Sequence, residues 1–454
     1  MAGELLDPVK TTTEPTSAAW FRPALLAIAF LGVVVRVGSS LSVRSDRLGI
    51  DAPYYHETAA NIASGRGYVA PVFGSAKLVP TALHPPFFPM VLAAFDLLGL
   101  GSVAAQRIAL AVLASSAVAA MGLLGRKVAG PAVGITAAAI AAVDPLWLQP
   151  IGSLMSETIL FVIIPVVLLS ALLCIEDPSP WRFAALGFTV ALAALTRSET
   201  VAFILLLGVP VVLFAAAPWR RRVVLGTALT AGFVLLMGPW LVRNELQLGG
   251  LTLSDNGGVT LVGAYSPNAF DPKSSSYGSF DGVEALAVTA VTRISKPPHH
   301  AGAWTELALN NTLTADARQF ALAHLSDIPG VVLAREGRIW GLYHPGQVLA
   351  AAQSEVGGER SRTLDQLGQI FYWIMLPFVI VGLAALMKRS PQRFIIIAMP
   401  IVVVALNAGF VFGSMRLRVT AEPSLAVFAA MGLLAVATWI RRWPLFSFQR
   451  SPAK

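Results

Sequence analysis

The segment Arg44–Pro89 reads RSDRLGIDAPYYHETAANIASGRGYVAPVFGSAKLVPTALHPPFFP and directly follows the first long hydrophobic run. Within it, Asp51 precedes the tyrosine pair Tyr54 and Tyr55, and His84 stands before two prolines that lead back into apolar sequence. A single carboxylate among aromatic side chains at the edge of a membrane suits a general base that acts on a membrane-bound substrate. The alternative is an ordinary polar loop between two transmembrane helices, because Asp is a common loop residue.

Composition places the chain among polytopic membrane proteins. Of its 454 residues, 56% are hydrophobic and 13% are charged, whereas a soluble domain has roughly 25% charged residues. Several apolar runs reach the length of about 20 residues that crosses a bilayer. The net charge of +8 does not indicate nucleic-acid binding, because the basic residues cluster between the hydrophobic runs. The single Cys174 excludes a disulfide framework within the chain and a cysteine metal site.

The apolar runs predict an all-α bundle of about ten transmembrane helices. A shorter, proline-rich apolar segment, Pro85–Leu100, is predicted to be re-entrant or half-buried. The predicted spans are Pro23–Leu41, Val103–Leu124, Ala132–Pro150, Glu157–Ile175, Phe183–Leu195, Thr200–Ala216, Val223–Val242, Leu367–Met387, Phe394–Phe412 and Pro423–Ile440.

The order of these runs divides the chain into five parts. Arg36 inside the first apolar run and the polar leader before it argue for an uncleaved first span rather than a signal peptide. Two amphipathic helices, Trp304–Leu325 and Gly330–Tyr343, are predicted in the long polar stretch. The predicted parts are a cytoplasmic tail (1–22), a catalytic membrane module (23–242) with its outer loop (44–89), an extracytoplasmic cap (243–366), the C-terminal membrane helices (367–440) and a second cytoplasmic tail (441–454).

Clusters of Arg and Lys give the predicted orientation. In a ten-span arrangement the basic clusters all fall on one side, which the positive-inside rule makes cytoplasmic. The protein is therefore expected in the plasma membrane with both termini in the cytoplasm. The Asp51 loop, the turn at Glu157, the turn Thr196–Glu199, the long polar stretch and the segment Arg416–Glu422 then face the outside.

Four polar residues at this outer face need individual weighing. Glu157 lies where a span meets the surface, and it either binds a metal or acceptor or stabilises a helix N-terminus. Arg36 either faces an interior partner or extends to the interface. Arg416 and Arg418 are outer cations beside an apolar span, for which an anionic headgroup is the natural partner.

Three further residues carry weaker signals. His84 either orients substrate or caps the half-buried helix. Arg197 and Glu199 either position substrate or serve as interface anchors and salt-bridge partners. With Tyr54 and Tyr55, these residues form the predicted set of substrate-positioning side chains.

The order of these residues resembles one known family. The matching motifs are Asp51 with Tyr54-Tyr55, Gly65-Arg-Gly-Tyr68, His84-Pro-Pro-Phe-Phe-Pro89, Ser156-Glu157, Leu195-Thr-Arg-Ser-Glu199, Pro239-Trp-Leu-Val-Arg-Asn244 and Arg416-Leu-Arg418. The chain looks like the GT-C-fold glycosyltransferases of the dolichyl-phosphate-mannose protein mannosyltransferase-like superfamily, bacterial family 39 type. The resemblance runs from about Arg36 to Leu434 and is weak beyond Pro267.

The resemblance implies a GT-C-like fold and a catalytic base at Asp51. It also implies sugar donors that are polyprenyl-phosphate lipids used outside the cytoplasm, with Asp51 and Glu157 at the family's two acidic positions. Many relatives carry Asp-Glu where this chain has Asp51-Ala52. A role of that second carboxylate is therefore not carried over.

The residue chemistry agrees with such a reaction. A polyprenyl-phosphate leaving group gains negative charge as it departs, so it needs cations, and Arg416, Arg418 and Arg36 are the predicted phosphate-binding residues. Asp51 is the predicted base for the acceptor hydroxyl, and single displacement inverts the anomeric centre. The predicted partners are thus the donor lipid and a glycan, lipid or protein acceptor.

Two alternatives stay open at this stage. A transporter or flippase for a lipid-linked or anionic solute is the second function considered, and it calls for mid-membrane charges or an inverted repeat. A divalent metal ion shared by Asp51 and Glu157 is also considered, although no His or Cys spacing demands one.

Overall fold

The computed structural model describes residues 19–43, 46–49, 51–71, 77–281, 292, 305–356 and 361–441. Most of both predicted tails, including residues 1–18 and 442–454, lies outside these ranges, as do parts of the outer loop and of the cap. Over the described residues the protein is all-α apart from one short hairpin, which confirms the predicted fold class.

Among the described residues, three 3₁₀ turns interrupt the helices: Pro145–Trp147, Ser198–Ala202 and Met415–Thr420. The helices are Phe21–Ser42, Ala52–Ala63, Phe87–Leu97, Val103–Ala129, Pro131–Val143, Gln149–Gly152, Glu157–Glu176, Pro180–Ala194, Phe203–Leu206, Gly208–Phe214, Trp219–Leu248, Gly257–Ala264, Pro267–Phe270, Glu306–Ala323, Ile328–Ile339, Pro345–Val356, Arg362–Arg389, Pro391–Phe410 and Glu422–Arg441.

Among the described residues, seven helices are long and apolar enough to cross a membrane, and a bent pair makes eight if it counts as one span. The remaining two predicted spans correspond to the shorter apolar helices Pro180–Ala194 and Ser198–Phe214. The segment Phe87–Leu97 is also short, because eleven residues rise only about 16 Å. That length agrees with the half-buried helix predicted there.

The bent pair replaces the straight span predicted at Ala132–Pro150. The axis turns by 63° between Pro131–Val143 and Pro145–Gly152. Asp144 occupies the break in an extended conformation, and its side chain accepts a hydrogen bond from the Leu146 backbone N–H at 2.9 Å. A proline that follows an extended residue disfavours continuation of the helix, so the sequence Asp144-Pro145 sets the bend.

The last membrane helices pack backbone against backbone. Gly382 of Arg362–Arg389 faces the backbone of Phe428, and Gly432 of Glu422–Arg441 faces the backbone of Phe378. A side chain at either glycine would overlap a carbonyl group of the partner helix. Small residues are the usual means of close helix contact in membranes, so this pair fixes the position of the segment that begins at Glu422.

The helix Glu157–Glu176 connects two charged groups at opposite ends of the bundle. Its twenty residues span about 30 Å, the thickness of a hydrocarbon core. At one end Glu176 pairs with Lys127 and Arg393. Glu157 lies at the other end, where the candidate site is found.

The loop after the first span folds as a helix and a hairpin. After the helix Ala52–Ala63, Gly65 and Gly67 take positive φ angles of 78° and 87°, which residues with a Cβ rarely adopt. The hairpin then pairs Val69–Pro71 with Leu78–Pro80 in antiparallel register. The segment Gly65-Arg-Gly-Tyr68 therefore turns the chain between the helix and the hairpin.

The cap contains the two helices predicted for it. They are observed as Glu306–Ala323 and Ile328–Ile339. The second carries two buried arginines: Arg335 donates to the carbonyl oxygens of Gly409 and Ala264, and Arg338 donates to that of Tyr277. The bond to Gly409 attaches the cap to the C-terminal end of the helix Pro391–Phe410, and the bonds to Ala264 and Tyr277 join segments within the cap.

Candidate active site

Five charged side chains form a continuous series of contacts at one end of the bundle. Arg416 donates from Nη2 to Asp51 Oδ2 at 2.5 Å and from Nε to Glu157 Oε1 at 2.5 Å. Arg197 donates from Nη1 to the same Glu157 oxygen at 2.7 Å and from Nε to Glu199 Oε1 at 2.5 Å. We call this set, Asp51, Arg416, Glu157, Arg197 and Glu199, the charge chain.

Local structure directs these side chains toward one another. Asp51 is the N-cap residue of Ala52–Ala63, but its carboxylate makes no capping bond and instead contacts Arg416. Glu157 is the first residue of its helix, where the helix dipole favours a negative charge. Arg416 lies in the 3₁₀ turn Met415–Thr420. Two helix N-termini and one turn therefore converge on a single guanidinium.

Burial and charge work against each other in this series. Burial alone would raise the pKa of Asp51, but the positive charge of Arg416 and the hydrogen bond with His84 outweigh it and lower the pKa. Burial likewise opposes the charge of Arg197, yet Glu199 and Glu157 raise its pKa above the ordinary value. Both groups are therefore ionised at neutral pH.

We expect the stabilising effect of the ionised Asp51 to be lost in acid. Its pKa is lowered from 3.8 by folding, so this contribution is complete above the unfolded-state pKa and is lost as pH falls below about 4. The measurement is the unfolding temperature of the wild type minus that of Asp51→Asn, which should decrease on acidification. The exposed Asp271→Asn is the control, and an increase of the Asp51 difference in acid would contradict the assignment.

An aromatic wall borders Asp51 on its other side. His84 Nε2 lies 3.6 Å from Asp51 Oδ1. The imidazole ring contacts Tyr54 and Tyr55 at centroid distances of 5.1 and 4.9 Å, and Tyr55 in turn packs edge-on against Phe88. Burial raises the pKa of Tyr54 to about 12, so its hydroxyl stays protonated.

The segment that carries His84 is held by two residues from distant parts of the chain. Glu306 accepts hydrogen bonds from Thr81 Oγ1 and from the Ala82 backbone N–H, both at 2.7 Å. Arg243 donates to the carbonyl oxygen of Thr81 at 2.6 Å. The sequence analysis missed Glu306, because nothing near it in the sequence connects it with the Asp51 loop.

A small pocket opens beside the charge chain. Glu157 and Arg416 line it together with apolar side chains that include Phe161 and Met415, and Glu422 lines it as well. Arg418 donates from Nε to Glu422 Oε1 at 2.6 Å. Glu422 was also missed, although its spacing of four residues from Arg418 is typical of a helical ion pair.

Arg418 and Arg36 have partners other than the charge chain. The Arg418 guanidinium stacks 3.7 Å above the Tyr372 ring and donates to the carbonyl oxygen of Ile339. Arg36 donates to the carbonyl oxygen of Ala141 at 2.8 Å. Both side chains are buried. Their predicted phosphate-binding role stays a prediction, whereas Arg416 lies beside Asp51 and Glu157.

The two acidic positions do not fit a resident metal ion in this arrangement. Asp51 and Glu157 both bind the guanidinium of Arg416, which takes the space between them. Within the described ranges, His, Cys, Asp and Glu form no group of three or more with the geometry of a metal site. A divalent ion between these carboxylates would lie against a positive charge.

Comparison with known proteins shows the fold. No family model matches the sequence, and no curated protein matches it. The oligosaccharyltransferase AglB from Archaeoglobus fulgidus, in complex with an inhibitory peptide and a dolichol-phosphate, is 14% identical, with a TM-score of 0.55 over 96% of this chain and 52% of AglB. The same enzyme tethered to an acceptor peptide gives 15% identity and a TM-score of 0.56 over 94% and 50% of the two chains.

This chain thus spans about half the length of AglB, at an identity that supports a likeness of fold alone. ArnT from Cupriavidus metallidurans bound to undecaprenyl phosphate is 13% identical over 92% of this chain and 78% of ArnT, but its TM-score of 0.39 carries no argument. The fold expected from the sequence motifs is confirmed: this chain has a GT-C-like fold, which it shares with AglB.

Proposed function

We propose that this chain transfers a sugar from a polyprenyl-phosphate lipid to an acceptor hydroxyl at the extracytoplasmic face of the plasma membrane. The observation that carries the proposal is the contact of Asp51 with Arg416 at the edge of a pocket in a GT-C fold. A carboxylate base and a leaving-group cation are the two functions that this reaction requires.

Asp51 is the base in this mechanism. The acceptor oxygen attacks the anomeric carbon while the bond from that carbon to the phosphate oxygen breaks. The acceptor proton passes to Asp51, which is ionised because its pKa is lowered by Arg416. His84, 3.6 Å from the other side of the carboxylate, holds its orientation. One displacement with one base inverts the anomeric centre.

Arg416 stabilises the departing phosphate. The leaving polyprenyl phosphate carries one more negative charge than the donor, and this charge develops in the transition state. A guanidinium presents five N–H donors in a planar fork, of which Asp51 and Glu157 engage two. Arg197 neutralises Glu157 from the opposite side, so that the positive charge of Arg416 is not fully cancelled by its two carboxylates.

The lining of the pocket has the two kinds of group that a sugar binds. Apolar side chains, which include Phe161, suit the nonpolar face of a sugar ring, and Glu422 lies beside them. The carboxylate of Glu422 accepts hydrogen bonds from hydroxyl groups. AglB, which has the same fold, was solved with a dolichol-phosphate and a peptide. This likeness supports a polyprenyl-phosphate donor for the present chain. The sugar and the acceptor are to be identified by experiment.

The test is direct chemistry on the lipid. Lipids that copurify with the detergent-solubilised chain are analysed by mass spectrometry, and we expect a polyprenyl-phosphate series with and without a sugar. Incubation of the purified chain with the sugar-bearing form and an envelope extract as acceptor should release bare polyprenyl phosphate. If the chain instead moves the intact lipid between the leaflets of a vesicle without cleaving it, the chain is a transporter, the second function that the sequence left open.

The orientation gives a separate prediction. In a Cys174→Ser background, a cysteine at the exposed Ser275 should react with an impermeant thiol reagent added outside intact cells. Cysteines at the exposed Ala132 and Arg220 should be protected, because they belong to the basic end of the bundle that the positive-inside rule places in the cytoplasm. The reverse labelling pattern would put Asp51 in the cytoplasm and remove the extracytoplasmic donor.

A further inference from the structure

The arrangement around Arg416 is that of a two-carboxylate cation site. Asp51 Oδ2 and Glu157 Oε1 approach the same guanidinium from different elements, each at 2.5 Å. His84 Nε2 stands 3.6 Å from the second oxygen of Asp51. Carboxylate oxygens and an imidazole nitrogen are also the donors that Mn²⁺ and Mg²⁺ prefer or accept. The cation between these donors is supplied by the chain itself.

Burial makes this contact more than a surface ion pair. The side-chain exposures are 2% for Glu157, 15% for Arg416 and 19% for Asp51. Surface ion pairs exchange freely with water and salt, whereas a buried carboxylate that loses its partner is strongly disfavoured. Glu157 in particular needs positive charge beside it, which Arg416 and Arg197 supply.

Charge decides between a guanidinium and a metal ion. The charge chain holds three carboxylates and two guanidinium groups, which leaves one net negative charge. With Arg416 in place, a divalent ion between Asp51 and Glu157 meets a positive charge at contact distance. Without Arg416 the excess is two negative charges. Asp51 then loses its guanidinium partner and Glu157 keeps only Arg197, so a divalent ion between the two carboxylates is favoured.

We propose that Arg416 is a built-in replacement for a divalent metal ion, and that the Asp51–Glu157 pair binds no metal while Arg416 is present. The same pair becomes a divalent-metal site when the guanidinium is removed. The metal-binding part of this inference is independent of the proposed function. Only the rescue of transfer by metal, described below, depends on it.

The main experiment measures Mn²⁺ binding by electron paramagnetic resonance on the purified, chelator-treated chain. Any Mn²⁺ that the wild type binds should be bound equally by the Asp51→Asn and Glu157→Gln variants. Arg416→Ala should bind roughly one ion per chain with micromolar to millimolar affinity, as in sites with few charged ligands. The double variants Arg416→Ala with Glu157→Gln and Arg416→Ala with Asp51→Asn should lose this ion.

The matched control is Arg182→Ala, which removes an arginine from its carboxylate partner Asp177 at a more exposed ion pair. This variant should gain no Mn²⁺, a result that would show that removing the arginine partner of one carboxylate does not by itself create a metal site. Stoichiometric Mn²⁺ in the wild type that a folded Asp51→Asn variant no longer binds would overturn the proposal. Failure of a folded Arg416→Ala to bind Mn²⁺ would also overturn it.

Transfer activity supplies the second readout. Treatment with a chelator should leave the wild-type transfer rate unchanged. Addition of Mn²⁺ should raise the transfer rate of Arg416→Ala by at least about tenfold, the size of a moderate electrostatic contribution. If no transfer is detected in any sample, the proposed function fails while the Mn²⁺ titration still decides the metal question. Rescue of Arg416→Ala without bound Mn²⁺ would contradict the inference.

Discussion

Turnover by the Asp51→Asn variant should fall by about a hundredfold or more, the scale of lost general-base catalysis. Asparagine keeps the size of the side chain and a carbonyl oxygen for Arg416, but it cannot take the proton of the acceptor. Binding of the donor lipid should change much less, because Arg416 and the pocket remain. The measurement is the single-turnover rate at saturating donor, together with donor affinity from an independent binding titration.

Glu57→Gln is the matched control for this variant. Glu57 lies on the same helix as the Asp51 N-cap, Ala52–Ala63, but its side chain is exposed. The control should retain wild-type turnover. Near-full transfer by Asp51→Asn in the purified assay would make Asp51 a structural partner of Arg416, and Glu157 would then be the next candidate for the base.

Arg416→Ala, in metal-free buffer, should lower the maximal rate of transfer by at least about tenfold, which corresponds to about 1.4 kcal/mol of transition-state stabilisation. The rate should fall more than the donor affinity, because the guanidinium interacts most strongly with the charge that develops on the leaving phosphate. Arg416→Lys should restore only part of the rate, since an ammonium group replaces a planar fork that bridges two carboxylates.

Arg362→Ala, at an exposed position, is the control for loss of one positive charge, and it should leave the maximal rate of transfer unchanged. The unfolding temperature of each variant separates a loss of catalysis from a loss of structure. A transporter that merely holds the headgroup would lose affinity and keep its maximal rate. Normal turnover at saturating donor in Arg416→Ala would therefore exclude the leaving-group role.

The sequence identified the five residues of the charge chain as candidates, because each of them interrupts apolar sequence at the same end of the bundle. Asp51, Glu157 and Arg416 stand at the ends of hydrophobic runs, and the structure brings them into contact. A polar residue at the end of a span is visible in a one-dimensional pattern. Its partner is not, since contacts across 259 residues depend on how the helices pack.

The role of the second arginine shows where the pattern is insufficient. Arg416 and Arg418 are two residues apart, and the sequence left both as phosphate ligands. In the 3₁₀ turn Met415–Thr420 they point to different sides, so Arg418 pairs with Glu422. The turn type, which depends on the flanking segments, decides which arginine reaches Asp51.

The sequence also did not predict that two of the membrane helices are interrupted. The predicted span at Ala132–Pro150 bends by 63° at Asp144, and the apolar run at Thr200–Ala216 is divided into short pieces. Hydropathy averages over a window and cannot register a local break. The glycine contacts at Gly382 and Gly432 likewise arise only when two particular helices meet.

The helix Glu157–Glu176 is anchored at both ends, and this has a consequence for the surrounding lipid. Glu157 is tied to Arg416 and Arg197, and Glu176 is tied to Lys127 and Arg393. A helix fixed in this way cannot slide or tilt to suit a thicker or thinner bilayer without breaking ion pairs. Hydrophobic mismatch is then accommodated by deformation of the lipid next to the protein. A change in membrane thickness should therefore deform the surrounding lipid and leave the distance between Asp51 and Glu157 unchanged.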